Sequence, residues 1–291
     1  MSLHQPRILV TGASGQLGRL VIDRLLKTMP PAQIAAIVRD AKAGAELSAR
    51  GVQLFVANYT KPDTLDAAFA GVERLLLISS NAIGQRVSQH RNVIDAAKRA
   101  GVALLAYTSV LHADASPLSL AEEHRQTEAA LRASGIPFVL LRNGWYTENY
   151  AASIPAALEH GVHLGCAGEG RIASASRGDY ADAAAAVLTA GEGVAGRIYE
   201  LAGDEAYSLS QFAAEIARQS GKAVSYKDLP EADFKAMLVG AGLPEEFAAL
   251  LANSDSGASK GALFDDSHQL STLIGRPTTP LATTVAVALK G

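Results

Sequence analysis

Three glycines stand in one short turn, Gly12-Ala13-Ser14-Gly15-Gln16-Leu17-Gly18, directly behind the apolar run Ile8-Leu9-Val10. The turn opens a stretch in which Leu17, Val21 and Leu25 recur at helical spacing. A strand that runs into such a bend and then into a helix is a phosphate-binding device. Small residues let the backbone approach a pyrophosphate, and free N–H groups at the helix N-terminus supply positive potential. A second apolar run, Ile34–Val38, closes a strand–helix–strand unit of about 30 residues. Glycine also serves tight turns that bind nothing. Here the position of the turn between a strand and a helix favours a nucleotide site.

The alternation continues through the first half of the chain. Strands are expected at 7–11, 33–38, 52–57, 73–79, 102–108 and 137–142, and helices at 16–28, 63–70, 85–100 and 119–134. This pattern predicts an α/β fold, a Rossmann-type doubly wound parallel sheet with helices on both faces. The runs 52–56 and 74–78 read as strands buried on both faces. Beyond about residue 145 the rhythm loosens. The expected division is a nucleotide-binding domain over 1–145 and a smaller C-terminal α/β substrate lobe over 146–291, with some of its segments returning to the sheet. The stretch 253–261, rich in Ser, Gly and Ala, reads as a loop that can act as a mobile flap.

Composition sets outer bounds. With 48% apolar residues over 291 positions the chain can build a sizeable core, and a formal charge of −3 gives no reason to expect nucleic acid. One cysteine rules out an internal disulfide framework and suits a reducing compartment. No leader pattern and no apolar run of about 18 residues is present, so neither secretion nor a membrane span is indicated. The expectation is a soluble cytoplasmic protein, a monomer or homodimer.

Ligands of such sheets sit at the carboxyl ends of the strands. At the end of the second strand stands Arg39, where dinucleotide folds read the adenosine ribose. An acid there accepts the 2′-hydroxyl of NAD, whereas a guanidinium fork matches the 2′-phosphate of NADP. The residue therefore points to NADP, although Asp40 beside it would repel that phosphate if it turned inward, and a solvated surface arginine is the plainer alternative. The third strand ends at Asn58-Tyr59 and the fourth at Ser79-Ser80-Asn81, which can contact adenine and the nicotinamide ribose respectively. Such residues are also ordinary turn formers. Gln85 and His90 open the next helix; one of them can face the cofactor, and a solvated helix face explains His90 equally.

An absence constrains the chemistry further. Short-chain reductases carry a Tyr-x-x-x-Lys pair that protonates the carbonyl oxygen as hydride arrives. None of the eight tyrosines here has a lysine four places on. The fifth strand ends in Tyr107-Thr108-Ser109, and the helix at 119–134 has Leu120 and His124 where the pair would stand. Making an alcohol means neutralising an alkoxide, with a basicity near that of hydroxide (water pKa about 15.7). Reducing a quinone produces a phenolate-like oxygen, comparable to tyrosine at about 10. Water or a histidine can protonate the second without a dedicated dyad. The chain thus reads as a protein whose hydride acceptor is undemanding, or as one that binds NADP without turning it over.

The segments at 8–18, 38–39, 75–80, 89–93, 106–109, 111–114 and 141–146, with 254–266 and 274–278, resemble the NmrA-like atypical short-chain dehydrogenase/reductases over nearly the whole chain. The glycine spacing G-x-x-G-x-x-G agrees with that group. The resemblance implies a flavin-free enzyme that passes hydride from NADPH directly to a quinone, in a two-lobed fold whose smaller lobe closes the substrate cleft. It places Gly12, Ala13, Ser14, Gly15, Gln16 and Leu17 on the pyrophosphate and Arg39 on the 2′-phosphate. It places Ser79, Ser80 and Asn81 near the nicotinamide ribose, and Tyr107 to Ser109 with Asn143 to Tyr146 around the nicotinamide and the acceptor. Asn58 stands where many members have aspartate, which leaves the adenine contact open.

The segment 142–150 concentrates aromatic residues in a chain only 5% aromatic, so Trp145 and Tyr146 are candidates for stacking on a flat acceptor, or alternatively for packing between lobes. His160, His163 and Cys166 have metal-ligand types, but their backbone pattern scatters them and no fourth ligand is evident, so no metal is expected. Ser109, His124 and Tyr107 are the candidates for orienting or protonating the acceptor. The competing readings are a non-catalytic NADP(H)-sensing regulator and a reductase of another conjugated acceptor, such as a triarylmethane dye.

Overall fold

The computed structural model describes residues 7–191 and 193–290. The described strands are β1 (Ile8–Val10), β2 (Ile34–Val38), β3 (Gln53–Val56), β4 (Arg74–Leu77), β5 (Leu104–Val110), β6 (Phe138–Asn143), β7 (Val162–Gly165), β8 (Ile198–Leu201) and β9 (Ser225–Asp228). The helices are α1 (Gln16–Leu25), α2 (Ala45–Ala49), α3 (Asp63–Phe69), α4 (Arg86–Ala100), α5 (Ala121–Ser134), α6 (Thr147–Ala151) and α7 (Ile154–His160). They continue with α8 (Arg177–Thr189), α9 (Leu209–Ser220), α10 (Glu231–Gly240), α11 (Glu245–Ala258), α12 (Gln269–Ile274) and α13 (Leu281–Ala288). The chain forms two compact units. One takes the residues up to Ala113 together with Glu122–Arg142 and Tyr180–Tyr199; the other takes Asp114–Ala121, Asn143–Asp179 and the chain from Glu200 on.

A seven-stranded, mostly parallel sheet in the order β3-β2-β1-β4-β5-β6-β8 organises the first unit. β1 pairs in parallel with β2 on one side, Ile8 opposite Ile34, and with β4 on the other, Ile8 opposite Arg74. The strand order reverses between β1 and β4, which is the switch point where a doubly wound sheet opens its ligand crevice. This is the expected Rossmann-type α/β architecture. Leu9, Leu75, Leu105 and Tyr107 are fully buried in the sheet, with Phe69 of α3 and Val93 of α4 packed on it. At the opposite end of the strands, Arg74 donates to the carbonyl of Leu188 at 2.8 Å and also to that of Ala190. It thereby caps the carbonyls left open at the end of α8.

One strand departs from expectation. β3 was expected to be buried on both faces, yet Gln53 and Val56 are exposed and Leu54 and Phe55 only half-buried. It pairs with β2 alone, so it is the sheet's edge.

In the second unit β7 and β9 pair in parallel as a small two-stranded sheet. α9 begins with a capping box in which the Ser208 hydroxyl accepts from Gln211 N and the Gln211 side chain accepts from Ser208 N. The expected flap at 253–261 is instead helical through Ala258, the last turns of α11, and Ser254, Asp255, Gly257 and Ala258 are buried. Two hydrogen bonds explain the difference: Tyr150 donates its hydroxyl to Asp255 Oδ1 at 2.9 Å, and Cys166 N donates to Oδ2 at 3.1 Å. Small residues here serve close helix packing, not mobility. Among the described residues no helix is long and apolar enough to cross a membrane.

Candidate active site

The glycine loop lies between β1 and α1. Gly12 has φ +59°, a region that L side chains rarely adopt. At Gly18 the reason is space: a Cβ there would stand 2.4 Å from Gly12 O and 2.7 Å from Ala13 Cα, so α1 can sit this close to the loop only with glycine at that position. Gly15 is the N-cap of α1, no side chain caps it, and the first turn carries no acid. The first-turn N–H groups are thus left for an anion from outside the chain. Arg19 steadies the loop from behind, its Nε donating to Ser14 O at 3.0 Å and its Nη1 pairing with Glu46 at 2.6 Å.

Arg39 is exposed at the end of β2 and makes no hydrogen bond or ion pair among the described residues. Asp40 does not turn inward: its Oδ1 accepts from Lys42 N at 3.0 Å and caps the short 3-10 turn Ala41–Gly44. The repulsion that an inward-turned Asp40 would exert beside Arg39 is therefore avoided by a local cap. Asn58 acts largely as a turn former, with Oδ1 accepting from both N and Oγ1 of Thr60 at 2.9 Å. Tyr59 turns its hydroxyl toward Thr11 and the Gly12 backbone, with Arg39 nearby, without forming a well-made hydrogen bond. Burial pushes that phenol up to about 12.

Beyond β4 the turn Ser79-Ser80-Asn81 is half-buried, then exposed at Asn81. Ser79 N donates to Thr108 Oγ1 of β5 at 2.8 Å. Ser80 is held at every polar group by the first turns of α4. Its N donates to His90 Nε2 at 2.9 Å, its carbonyl accepts from Arg86 Nε at 2.7 Å, and its hydroxyl donates to Gln89 Oε1 at 2.6 Å. His90 is fully buried, which excludes the solvated face considered from the sequence.

The end of β5 is buried throughout. Tyr107 belongs to the sheet core and shares a 2.7 Å hydrogen bond with His124 Nδ1 of α5. Burial raises the Tyr107 phenol well above its ordinary range and lowers His124 well below its own. Ser109 donates to Glu128 Oε1 at 2.6 Å, and the same carboxylate accepts both Nε and Nη2 of Arg142, at 2.9 and 2.7 Å. Glu128 and Arg142 are 1% and 3% exposed, so this is a buried bidentate pair. Of the three residues expected to serve the acceptor as acid or orienter, Tyr107 and Ser109 thus have their hydroxyls engaged inside the unit, and His124 its Nδ1.

In the second unit Asn143 is buried and its Oδ1 has no partner, an acceptor left open at the head of the aromatic segment. Trp145 and Tyr146 are half-buried. The backbone of this segment pairs with Ala175, which donates to Trp145 O at 3.1 Å and accepts from Thr147 N at 3.0 Å. Arg177 lies over the Tyr146 ring at 4.7 Å and donates to Asn149 Oδ1 at 2.6 Å. A hydroxyl chain runs beside it, Thr147 to Ser174 at 2.8 Å and Ser174 to Tyr207 at 2.6 Å. Among the described residues no group of three His, Cys, Asp or Glu side chains can hold a metal ion.

Three contributors escaped sequence reasoning: the grip of Arg86 and His90 on Ser80, the Glu128–Arg142 pair behind Ser109, and the Tyr59 hydroxyl beneath the loop. Two had a usable signal. Arg86 and His90, like His124 and Glu128, are four apart on a helix and therefore share a face. Tyr59 gave none, because only the fold brings the end of β3 to the loop after β1.

Comparison with known proteins identifies the chain's relatives. The NmrA-like family pattern matches residues 4–281. The chain is 59% identical over 279 residues to quinone oxidoreductase 2 of Escherichia coli strain K12, spanning 96% of this chain and 97% of that protein. Its fold superimposes with a TM-score of 0.95 on a crystal structure of an NADPH-dependent quinone oxidoreductase from Escherichia coli complexed with NADPH, at 58% identity, covering 97% of this chain and 99% of that one. It also matches Citrobacter sp. triphenylmethane reductase complexed with NADP(H), with a TM-score of 0.92 and 40% identity, over 97% and 99% of the two chains.

Proposed function

The chain belongs to the NmrA-like family, and from that membership we infer that it reduces quinones with NADPH by direct hydride transfer, without flavin. The observation that carries the reading is the 59% identity, over 96% of the chain, to a quinone oxidoreductase. The loop and its surroundings fit the cofactor: α1 has an uncapped N-terminus, Arg39 is unpaired and Asp40 is turned aside. Gly12 to Leu17 would hold the pyrophosphate, Arg39 the 2′-phosphate, and Ser79 to Asn81 the nicotinamide ribose. Asn58 would offer its free amide to adenine, and Asn143 its open Oδ1 to the cofactor's amide end. NADPH, when bound, supplies the hydride.

Trp145 and Tyr146 would face the flat acceptor. Tyr107 and Ser109 act from behind, holding the end of β5 in shape, because their hydroxyls are committed to His124 Nδ1 and Glu128. The phenolate-like oxygen formed on the quinone takes its proton from water. The chain's own contribution is positioning and the exclusion of competing water, which suits an acceptor with little need of acid catalysis.

The 40% identity to triphenylmethane reductase keeps a second acceptor class in view, the extended conjugated dyes. Steady NADPH oxidation on adding benzoquinone to purified protein that shows no flavin absorbance is the expected result. Tight NADPH binding with no turnover of any quinone would replace the enzyme by a sensor. A higher kcat/KM for a triarylmethane dye than for every quinone tried would move the assignment to the second class.

A further inference from the structure

The Ser80 peptide is gripped from one helix, and the grip dictates the state of a histidine. Ser80 N–H can only donate, so His90 Nε2, 2.9 Å away, must accept and carries no proton. The ring is then neutral with its hydrogen on Nδ1, which lies 3.0 Å from Thr127 Oγ1. That hydroxyl spends its only hydrogen on Glu123 O at 2.8 Å, so it accepts from Nδ1. The chain Ser80 N–H to imidazole to Thr127 to the backbone of α5 has one direction and one tautomer. Arg86 closes the other side, joining Ser80 O at 2.7 Å and Glu123 at 3.2 Å.

We propose that His90 is a positioning residue for hydride transfer: as a neutral acceptor locked by Thr127 it fixes the Ser80 peptide, and with it the Ser79–Asn81 turn that holds the nicotinamide end of the cofactor. The proposal rests on the cofactor placement given under Proposed function. Its surroundings favour the neutral ring. His90 is fully buried, Tyr107 of β5 meets it edge-on at 5.4 Å, the Arg86 guanidinium on its own helix disfavours a second positive charge, and His124 on α5 is itself neutral. Burial and Arg86 lower its pKa to about 3. Glu123 is already paired with Arg86.

The experiment has one arm free of cofactor and one with it. In the full-length protein without NADPH, imidazole ¹⁵N shifts should show a protonated Nδ1 and a bare Nε2 that do not titrate between about pH 5 and 8. A ring that titrates near 6.5, or that carries its hydrogen on Nε2, overturns the proposal whether or not the protein turns over quinone. In the second arm, His90→Phe removes the acceptor and keeps the ring. Ser80 amide exchange should quicken and NADPH Kd rise, each roughly tenfold, as expected for a buried donor left unpaired. His90→Gln, whose amide oxygen can reach the Nε2 position, should recover most of both. Unchanged exchange and Kd in His90→Phe, or equal loss in His90→Gln, overturns it. Should His90→Phe fail to fold, Thr127→Val unlocks the tautomer while leaving the imidazole in place, and is expected to raise NADPH Kd; an unaltered Kd counts against the proposal. A wild-type protein that binds no NADPH would defeat the functional reading and leave the ¹⁵N arm standing.

Discussion

Arg39 and Asp40 are neighbours of opposite charge, and one hydrogen bond separates their fates. The Asp40 carboxylate turns back onto Lys42 N, which leaves the guanidinium as the uncompensated charge at the end of β2. A free fork in that place should read the one phosphate that distinguishes the two nicotinamide cofactors. Replacing Arg39 with Ala is therefore expected to raise KM for NADPH roughly ten- to a hundred-fold, the range for a charge-assisted contact, while KM for NADH barely moves. Equal losses for both cofactors in steady-state kinetics would remove Arg39 from the 2′-phosphate. At this scale the sequence was readable where placement follows from position relative to a strand, as with Arg39 at the end of β2 and the glycine loop between β1 and α1. It was not readable where placement follows from burial. Nothing local tells that the Tyr59 hydroxyl lies under Gly12, or that the Glu128 carboxylate is sealed between Ser109 and Arg142.

Helices and strands were legible for the same reason that the loop was: period and punctuation are local. The six strands expected in the first half all form, within a residue or two at most ends, as do the four helices, because each carries its own apolar pattern. β3 shows the limit, since whether an apolar strand lies inside a sheet or at its edge depends on neighbours that the run itself does not specify. α11 shows the other limit. Its last turns have loop-like composition, and they are helical because Asp255 is tied to Tyr150 and Cys166. That carboxyl is costly to ionise: burial raises it to about 6, against the Tyr150 and Cys166 hydrogen bonds that pull it down. An acid raised in the fold binds its proton more tightly folded than unfolded. Its ionisation penalty is thus complete above about pH 6 and relieved as pH falls toward the ordinary carboxyl value of about 3.9. Asp255→Asn keeps an oxygen for Tyr150 but turns an N–H toward Cys166 N, a fixed loss at every pH. The diagnostic is the slope: between about pH 4 and 6 the wild type should lose roughly 2–3 kcal/mol relative to the variant as pH rises. Denaturation midpoints of the two proteins that run parallel across that window would show that Asp255 does not titrate there.

The two compact units differ in how they should answer acid, and the difference comes from which titratable groups each has buried. The first holds His90 and His124 neutral, the one lowered to about 3 and the other well below its ordinary value. A base lowered in the fold contributes stability that is complete above its unfolded pKa of about 6.5 and is lost as pH falls toward the folded value. Near pH 5 the unfolded first unit therefore takes up close to two protons that the folded one refuses, a slope of roughly 2–3 kcal/mol per pH unit. The second unit holds His163, lowered to about 4 by burial, and Asp255, raised to about 6. On unfolding near pH 5 the histidine gains a proton as the carboxyl loses one, and the two nearly cancel. Local opening reports each unit by its own amides. Taking the full-length protein from about pH 6.5 to 5 should cut the exchange protection of β4 and β5 amides, such as Leu75 and Leu105, many-fold, while those of β7 and α11, such as Leu164 and Ala252, stay close to constant. Equal losses in both sets, or none in either, would mean that the buried histidines do not set the acid response. The first unit, with neutral His90 on α4 and His124 on α5 buried against its sheet, is then the acid-sensitive part of the molecule, and the neutral imidazole that grips Ser80 is stable only where that unit excludes its proton.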